Sequence, residues 1–281
     1  MSFRSRFPSE VFYSVPRAEV TQGPKDYYPA LFRLSEIALR NTYDISIHNP
    51  ERILDEPAVY AANHVQFADS LLVSMIHTET THHPMRFVIK KELSDGRGLD
   101  NEGKYGKPLQ WFMGHTRQIP VDREGLDGGA STIAMSRLAR EALRRGESIG
   151  IHPGRTRSDE SDGLPLFEAG VGAIALSNKV PVVPVAIQYG EKSGGVGRRT
   201  SVDVSYGVPI TPSDFPQLPP TTAEEFANND ATTDSSDGSK PKRLSGTEKA
   251  MRIASEAERR VATMLNVQRT GLRAALRGKS R

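Results

Sequence analysis

The spacing of apolar and polar positions divides the chain into short strands and amphipathic helices. Residues 27 to 40 (YYPALFRLSEIALR) place Leu31, Leu34, Ile37 and Leu39 at helical intervals. Two short strands follow, DISIH at 44 to 48 and PAVYAAN at 57 to 63. ADSLLVSMIH then reads as a helix, MRFVIK at 85 to 90 as a strand, KPLQWFMGH as a short helix and RQIPV as a short strand. ASTIAMSRLAREALRRGE predicts a long amphipathic helix that turns Ile133, Leu138, Ala142 and Leu143 inward and stops at Gly146. Strand SIGIH, helix VGAIALSNK and strands VPVVPVAI and TSVDVSYG complete the series. Strands alternating with helices predict an α/β fold, a mostly parallel central sheet flanked by helices. This domain is expected over residues 27 to 211, behind an N-terminal arm of residues 1 to 26.

After the domain the pattern stops. Residues 212 to 246 include QLPPTTAEEFANNDATTDSSDGSKPK, too polar to bury a core and expected to form a disordered linker. Residues 247 to 281 open on a last helical stretch, TEKAMRIASEAERRVATML, and are expected to form a basic helical tail.

Composition narrows the function classes. No window approaches the run of about 18 to 20 apolar residues that a membrane-spanning helix needs. The opening MSFRSRFPSEVFYSVPR carries arginines but no continuous apolar core, so it is not read as a secretory signal. The absence of cysteine excludes a disulfide framework, a thiolate zinc site and a cysteine nucleophile, and it fits a reducing cytoplasm. The formal charge of +3 is mild. Its distribution is more telling: Lys242, Arg243, Arg259, Arg260, Arg273 and Arg281 are among many cations near the end of the chain. Such a tail suits an anionic membrane surface or nucleic acid, and no recognised nucleic-acid module accompanies it.

Candidate chemistry begins at AANHVQFADS. A strand ends near His64, and Asp69 lies five positions on, in the first turn of the next helix. In open α/β sheets, sites form beyond the carboxyl ends of strands. A histidine held there by a carboxylate has a fixed tautomer and raised basicity, which suits a general base. The spacing equally allows a structural pair, with His64 capping the helix and Asp69 opposing its dipole. The pattern Gly146-Glu147-Ser148-Ile149-Gly150 matches a hydrolase elbow in letters only, because a helix precedes it and a strand follows. Lys90 and Lys91, Arg123, and Arg155 with Arg157 each follow a predicted strand, and arginine forks match phosphate oxygens. The remaining histidines show no metal-ligand spacing.

Taken in order, NHVQFAD, KKEL, GHTRQIPVDR, IHPGRTRS and VPVVPVAI resemble the glycerolipid acyltransferases of the lysophosphatidic acid acyltransferase type, over roughly residues 28 to 210. The resemblance implies that His64 is a general base oriented by Asp69. It would deprotonate the acceptor hydroxyl for direct attack on an acyl-CoA or acyl carrier protein thioester, with no other cofactor. It also implies that Arg123 and Arg157 hold the acceptor phosphate, with Lys90 as helper and Thr156 beside Arg157. Pro181, Val182, Val183 and Pro184 would help shape the acyl pocket, although their hydropathy alone equally describes a buried strand. The expected partners are a lysophospholipid and the inner face of the cell membrane, met peripherally from the cytoplasm. The third block departs from the family, with Gly154-Arg155 where Glu-Gly is usual. Arg155 is therefore expected to add a contact to an anionic head group. The alternative is a catalytically weak or inactive lipid-binding relative.

Overall fold

The computed structural model describes residues 28–94, 106–122, 130–154, 157, 163–192, 199–215 and 244–266. Helix α1 (Tyr28–Thr42) leads into β1 (Tyr43–His48), a 3-10 turn (Pro50–Arg52) and β2 (Val59–Ala62). Next come α2 (Asp69–Thr81), β3 (Met85–Lys90), the short α3 (Lys91–Ser94), α4 (Gly106–His115) and β4 (Ile119–Val121). Helix α5 (Ala130–Arg144), β5 (Ser148–Ile151), α6 (Gly170–Asn178), β6 (Val182–Lys192), β7 (Thr200–Tyr206) and α7 (Gly246–Leu265) complete the order.

All seven strands join one sheet in the order β1-β7-β6-β2-β5-β3-β4. β6, β2, β5, β3 and β4 run parallel to one another. β7 is antiparallel to β6, and β1 is parallel to β7. The expected mostly parallel α/β sheet is thus present, with two reversed strands at one side. Side chains of β2 alternate across it: Tyr60 and Ala62 face the α1 and α2 layer, while Val59 and Ala61 face the α5, α6 and α7 layer. After β2 the chain crosses toward β3, and after β5 it crosses back to β6. The reversal of winding falls between β2 and β5, which is where a doubly wound sheet opens a crevice.

Helix α5 buries Met135, Ala139, Ala142 and Leu143, a stripe at i, i+4, i+7 and i+8. Ile133 and Leu138 lie outside that arc and are exposed (65% and 41%), contrary to the expectation that both turn inward. Trp111 of α4 is likewise half exposed.

Helix α7 is part of the domain rather than a separate tail. Ser245 and Glu248 form a capping box at its start. Ala250, Ile253, Ala254, Ala257 and Val261 then enter the core shared with α6 and β6. A Cβ on Gly172 of α6 would stand 2.0 Å from the Ala250 carbonyl oxygen, so only glycine lets these two helices approach so closely. Arg259 and Arg260 both pair with the buried carboxylate of Glu256. The expected arm at 1–26, most of the linker and the cations beyond Asn266 lie outside the described residues.

One charged cluster is structural. Arg86 of β3 is fully buried, forked onto Glu147 at 2.9 Å through two nitrogens, with a third bond to the Thr116 carbonyl. Its guanidinium also lies 4.5 Å from the Tyr28 ring centroid. Burial pushes the Glu147 carboxyl up, but the Arg86 and Arg145 hydrogen bonds outweigh it and leave it below its ordinary value. The network ties the β5 entry to α1 and the α4–β4 turn.

Candidate active site

The exit of β2 is locked by Asn63, whose amide nitrogen donates to the Ile187 carbonyl while its oxygen accepts the Ile187 N–H, at 2.9 and 2.7 Å. This side chain extends the pairing of β2 with β6 by one step and releases His64 at the sheet's edge. The loop that follows folds back on Asp69. Its Oδ2 accepts the Val65 and Gln66 amides at 2.6 and 2.8 Å and lies 2.9 Å from His64 Nδ1. Its Oδ1 accepts the Tyr189 hydroxyl at 2.7 Å. Asp69 is fully buried, whereas the His64 side chain keeps 17% of its surface exposed.

Burial raises the Asp69 carboxyl, yet the hydrogen bonds from His64, Tyr189 and the Val65 amide outweigh it, and the net direction is down. Asp69 is therefore an ionised acceptor. Nδ1 of His64 must carry the proton that faces it, which leaves the Nε2 lone pair uncommitted among the described residues. Tyr189 is pushed up by burial and by the Asp69 charge, so it remains a hydroxyl donor. Tyr43 of β1 braces the loop through a 3.1 Å bond from its hydroxyl to the Gln66 side-chain oxygen.

His152, just after β5, is the second imidazole of the site. Its ring stacks on His64 with centroids 4.2 Å apart and an 11° interplanar angle. His152 and Tyr189 are the residues sequence reasoning missed. A signal for His152 existed, since it leaves β5 at the same edge as His64 leaves β2. Tyr189 had none, because it stands 120 positions from Asp69 and only the β6 register brings it there.

The other expected site residues divide. Lys90 is the exposed last residue of β3, at the His64 edge of the parallel strands, and Arg157 is exposed beyond His152. Arg123, Arg155 and Thr156 lie outside the described residues. Pro181 to Pro184 are buried at the start of the sheet's longest strand: Val182 pairs with Val59 and Pro184 with Ala61. The register sets this stretch before Ile187, with which His64 stands level, as a buried part of β6. Ser148 is the buried first residue of β5, bonded to His77, which fits no nucleophile elbow. A cleft of ≈ 580 Å³ lined by Arg140, Arg144 and Lys179 lies at the opposite edge, beside Pro57 and Pro181. Its cations sit at the carboxyl ends of α5 and α6, where helix dipoles favour them.

Among the described residues, no helix is long and apolar enough to cross a membrane. Residues 44–188 match the protein-family model described as Acyltransferase. The 1-acyl-sn-glycerol-3-phosphate acyltransferase of Bacillus subtilis (strain 168) is 27% identical over 176 residues, covering 62% of this chain and 78% of that protein. The crystal structure of the 1-acyl-sn-glycerophosphate (LPA) acyltransferase PlsC from Thermotoga maritima is similar with a TM-score of 0.50, over 84% of this chain and 79% of that one. At 19% identity this second likeness is one of fold.

Proposed function

The chain belongs to the acyltransferase family, and from that membership we propose that it moves a fatty acyl group from a thioester to a lysophospholipid hydroxyl. The donor is acyl-CoA or acyl carrier protein. The acceptor is 1-acylglycerol-3-phosphate and the product phosphatidic acid, the substrate class named in the Bacillus subtilis relative. The observation that carries the mechanism is the commitment of His64 Nδ1 to buried Asp69, which leaves Nε2 as the free base at the sheet's crevice.

Nε2 takes the acceptor hydroxyl proton as the oxygen attacks the thioester carbonyl. The tetrahedral intermediate then collapses, the C–S bond breaks, and the departing thiolate takes the proton back from His64. No acyl-enzyme forms. Lys90 and Arg157 are proposed to hold the acceptor phosphate together with Arg123, Arg155 and Thr156. The reading is tested by incubating the full chain with an acyl-CoA and a panel of lysophospholipids, then analysing the lipids formed. Phosphatidic acid from lysophosphatidic acid is the expected product; no diacyl product with any acceptor contradicts the reading.

The anionic membrane surface is proposed as the place of action, met through Arg269, Arg273, Arg277, Lys279 and Arg281, since Arg259 and Arg260 are paired internally. Each such cation contributes on the order of 1 kcal/mol near an anionic leaflet. Sedimentation with phosphatidylserine-containing vesicles is expected at low salt and lost at high salt. Retention that ignores salt contradicts an electrostatic anchor.

A further inference from the structure

We infer that His152 is a positioning residue for acyl transfer: a neutral aromatic platform that sets the plane of His64 and stabilises its protonated form. The inference rests on His64 being the base. Asp69 fixes one edge of the His64 ring, but a single hydrogen bond leaves the ring's tilt free. The parallel stack with His152 at 4.2 Å removes that freedom.

His152 is itself held from both sides and is only 4% exposed. Its Nδ1 lies 3.2 and 3.0 Å from the carbonyl oxygens of Ala62 and Asn63, which can only accept, so Nδ1 carries the proton. Its Nε2 lies 3.0 Å from Ser70 Oγ and accepts that hydroxyl. Both nitrogens are thus satisfied with the ring neutral. Phe87 closes in with a tilted ring at 5.1 Å. Among the described residues, the ionisable groups on the surrounding elements include Asp69 of α2, Tyr189 of β6, Tyr43 of β1 and Lys90 at the exposed end of β3. Asp69 already serves His64, and a second cation at 4.2 Å from the first would be strongly repelled. When His64 takes the hydroxyl proton, its positive ring therefore lies over a neutral π face, a favourable arrangement.

The test compares His152→Leu and His152→Phe, each checked for folding by thermal unfolding, in thiol release from acyl-CoA with lysophosphatidic acid. The leucine variant is expected to lose about 10-fold in kcat with KM little changed, and its acid limb of kcat/KM should move to lower pH. The phenylalanine variant keeps the aromatic face and should restore both. A leucine variant with wild-type kcat and pH profile, or a phenylalanine variant no better than leucine, overturns the inference. A nitrogen-15 titration of the wild-type rings gives a reading that does not depend on how the variants fold. His152 is expected to stay neutral while His64 protonates; protonation of both together overturns the platform. His64→Ala separates the two levels. Activity surviving that change sinks the base itself, whereas loss there with an unaffected His152→Leu sinks only the platform.

Discussion

His64→Ala is expected to lower kcat/KM for acyl transfer by about 10³-fold while leaving the melting temperature close to that of wild type. General base catalysis by a positioned side chain contributes roughly 10² to 10⁴ in rate. The side chain contributes little to the core, since it is partly exposed and its contacts are Asp69 and the His152 face. The loss should therefore appear in kcat, with KM for both substrates nearly constant. A variant within threefold of wild type would show that Nε2 takes no proton in the rate-limiting step.

Asp69 gives the second large effect, and its two substitutions separate charge from geometry. Asp69→Ala removes the acceptor of His64 Nδ1 and leaves the Val65 and Gln66 amides without their partner, so about 10²- to 10³-fold in kcat is expected. Asp69→Asn is milder. The two amides and His64 all converge on one oxygen, and Tyr189 donates to the other. An asparagine can place its oxygen where three donors meet and turn its amide nitrogen to the Tyr189 oxygen. That orientation preserves the His64 tautomer and removes only the negative charge, so roughly a 10-fold loss is expected, between wild type and alanine. Steady-state kinetics on both variants checks the order. Equal damage from asparagine and alanine would mean that the carboxylate's charge, rather than its orienting bonds, dominates.

Much of this architecture was legible in the chain because period-two and helical patterns report burial directly. His64 and Asp69 were legible for a related reason: they stand five positions apart, and a strand exit followed by a helix start folds them onto each other. What stayed hidden depends on register between distant strands. Tyr189 reaches Asp69, and Asn63 clasps Ile187, only because β6 is laid beside β2 with Val59 opposite Val182. The same register buries Pro181 to Pro184 before the level of the base, an address along the sheet that an apolar run alone does not give. Arg86 shows a further limit. A cation inside MRFVIK reads as an outward position of a strand, and only the carboxylate of Glu147, sixty-one residues on, makes its burial tolerable. Helix α7 was separated from the domain by its polar linker, yet its alanine-rich face packs on α6 as closely as Gly172 allows.

The most direct test follows thiol and lipid product together in one reaction of the full chain with acyl-CoA, before and after lysophosphatidic acid is added. No thiol beyond background is expected until the acceptor is present. Thiol and phosphatidic acid should then appear one for one, and both should be lost in His64→Ala. A burst of thiol before the acceptor arrives, or thiol release undiminished in His64→Ala, would contradict direct transfer driven by His64.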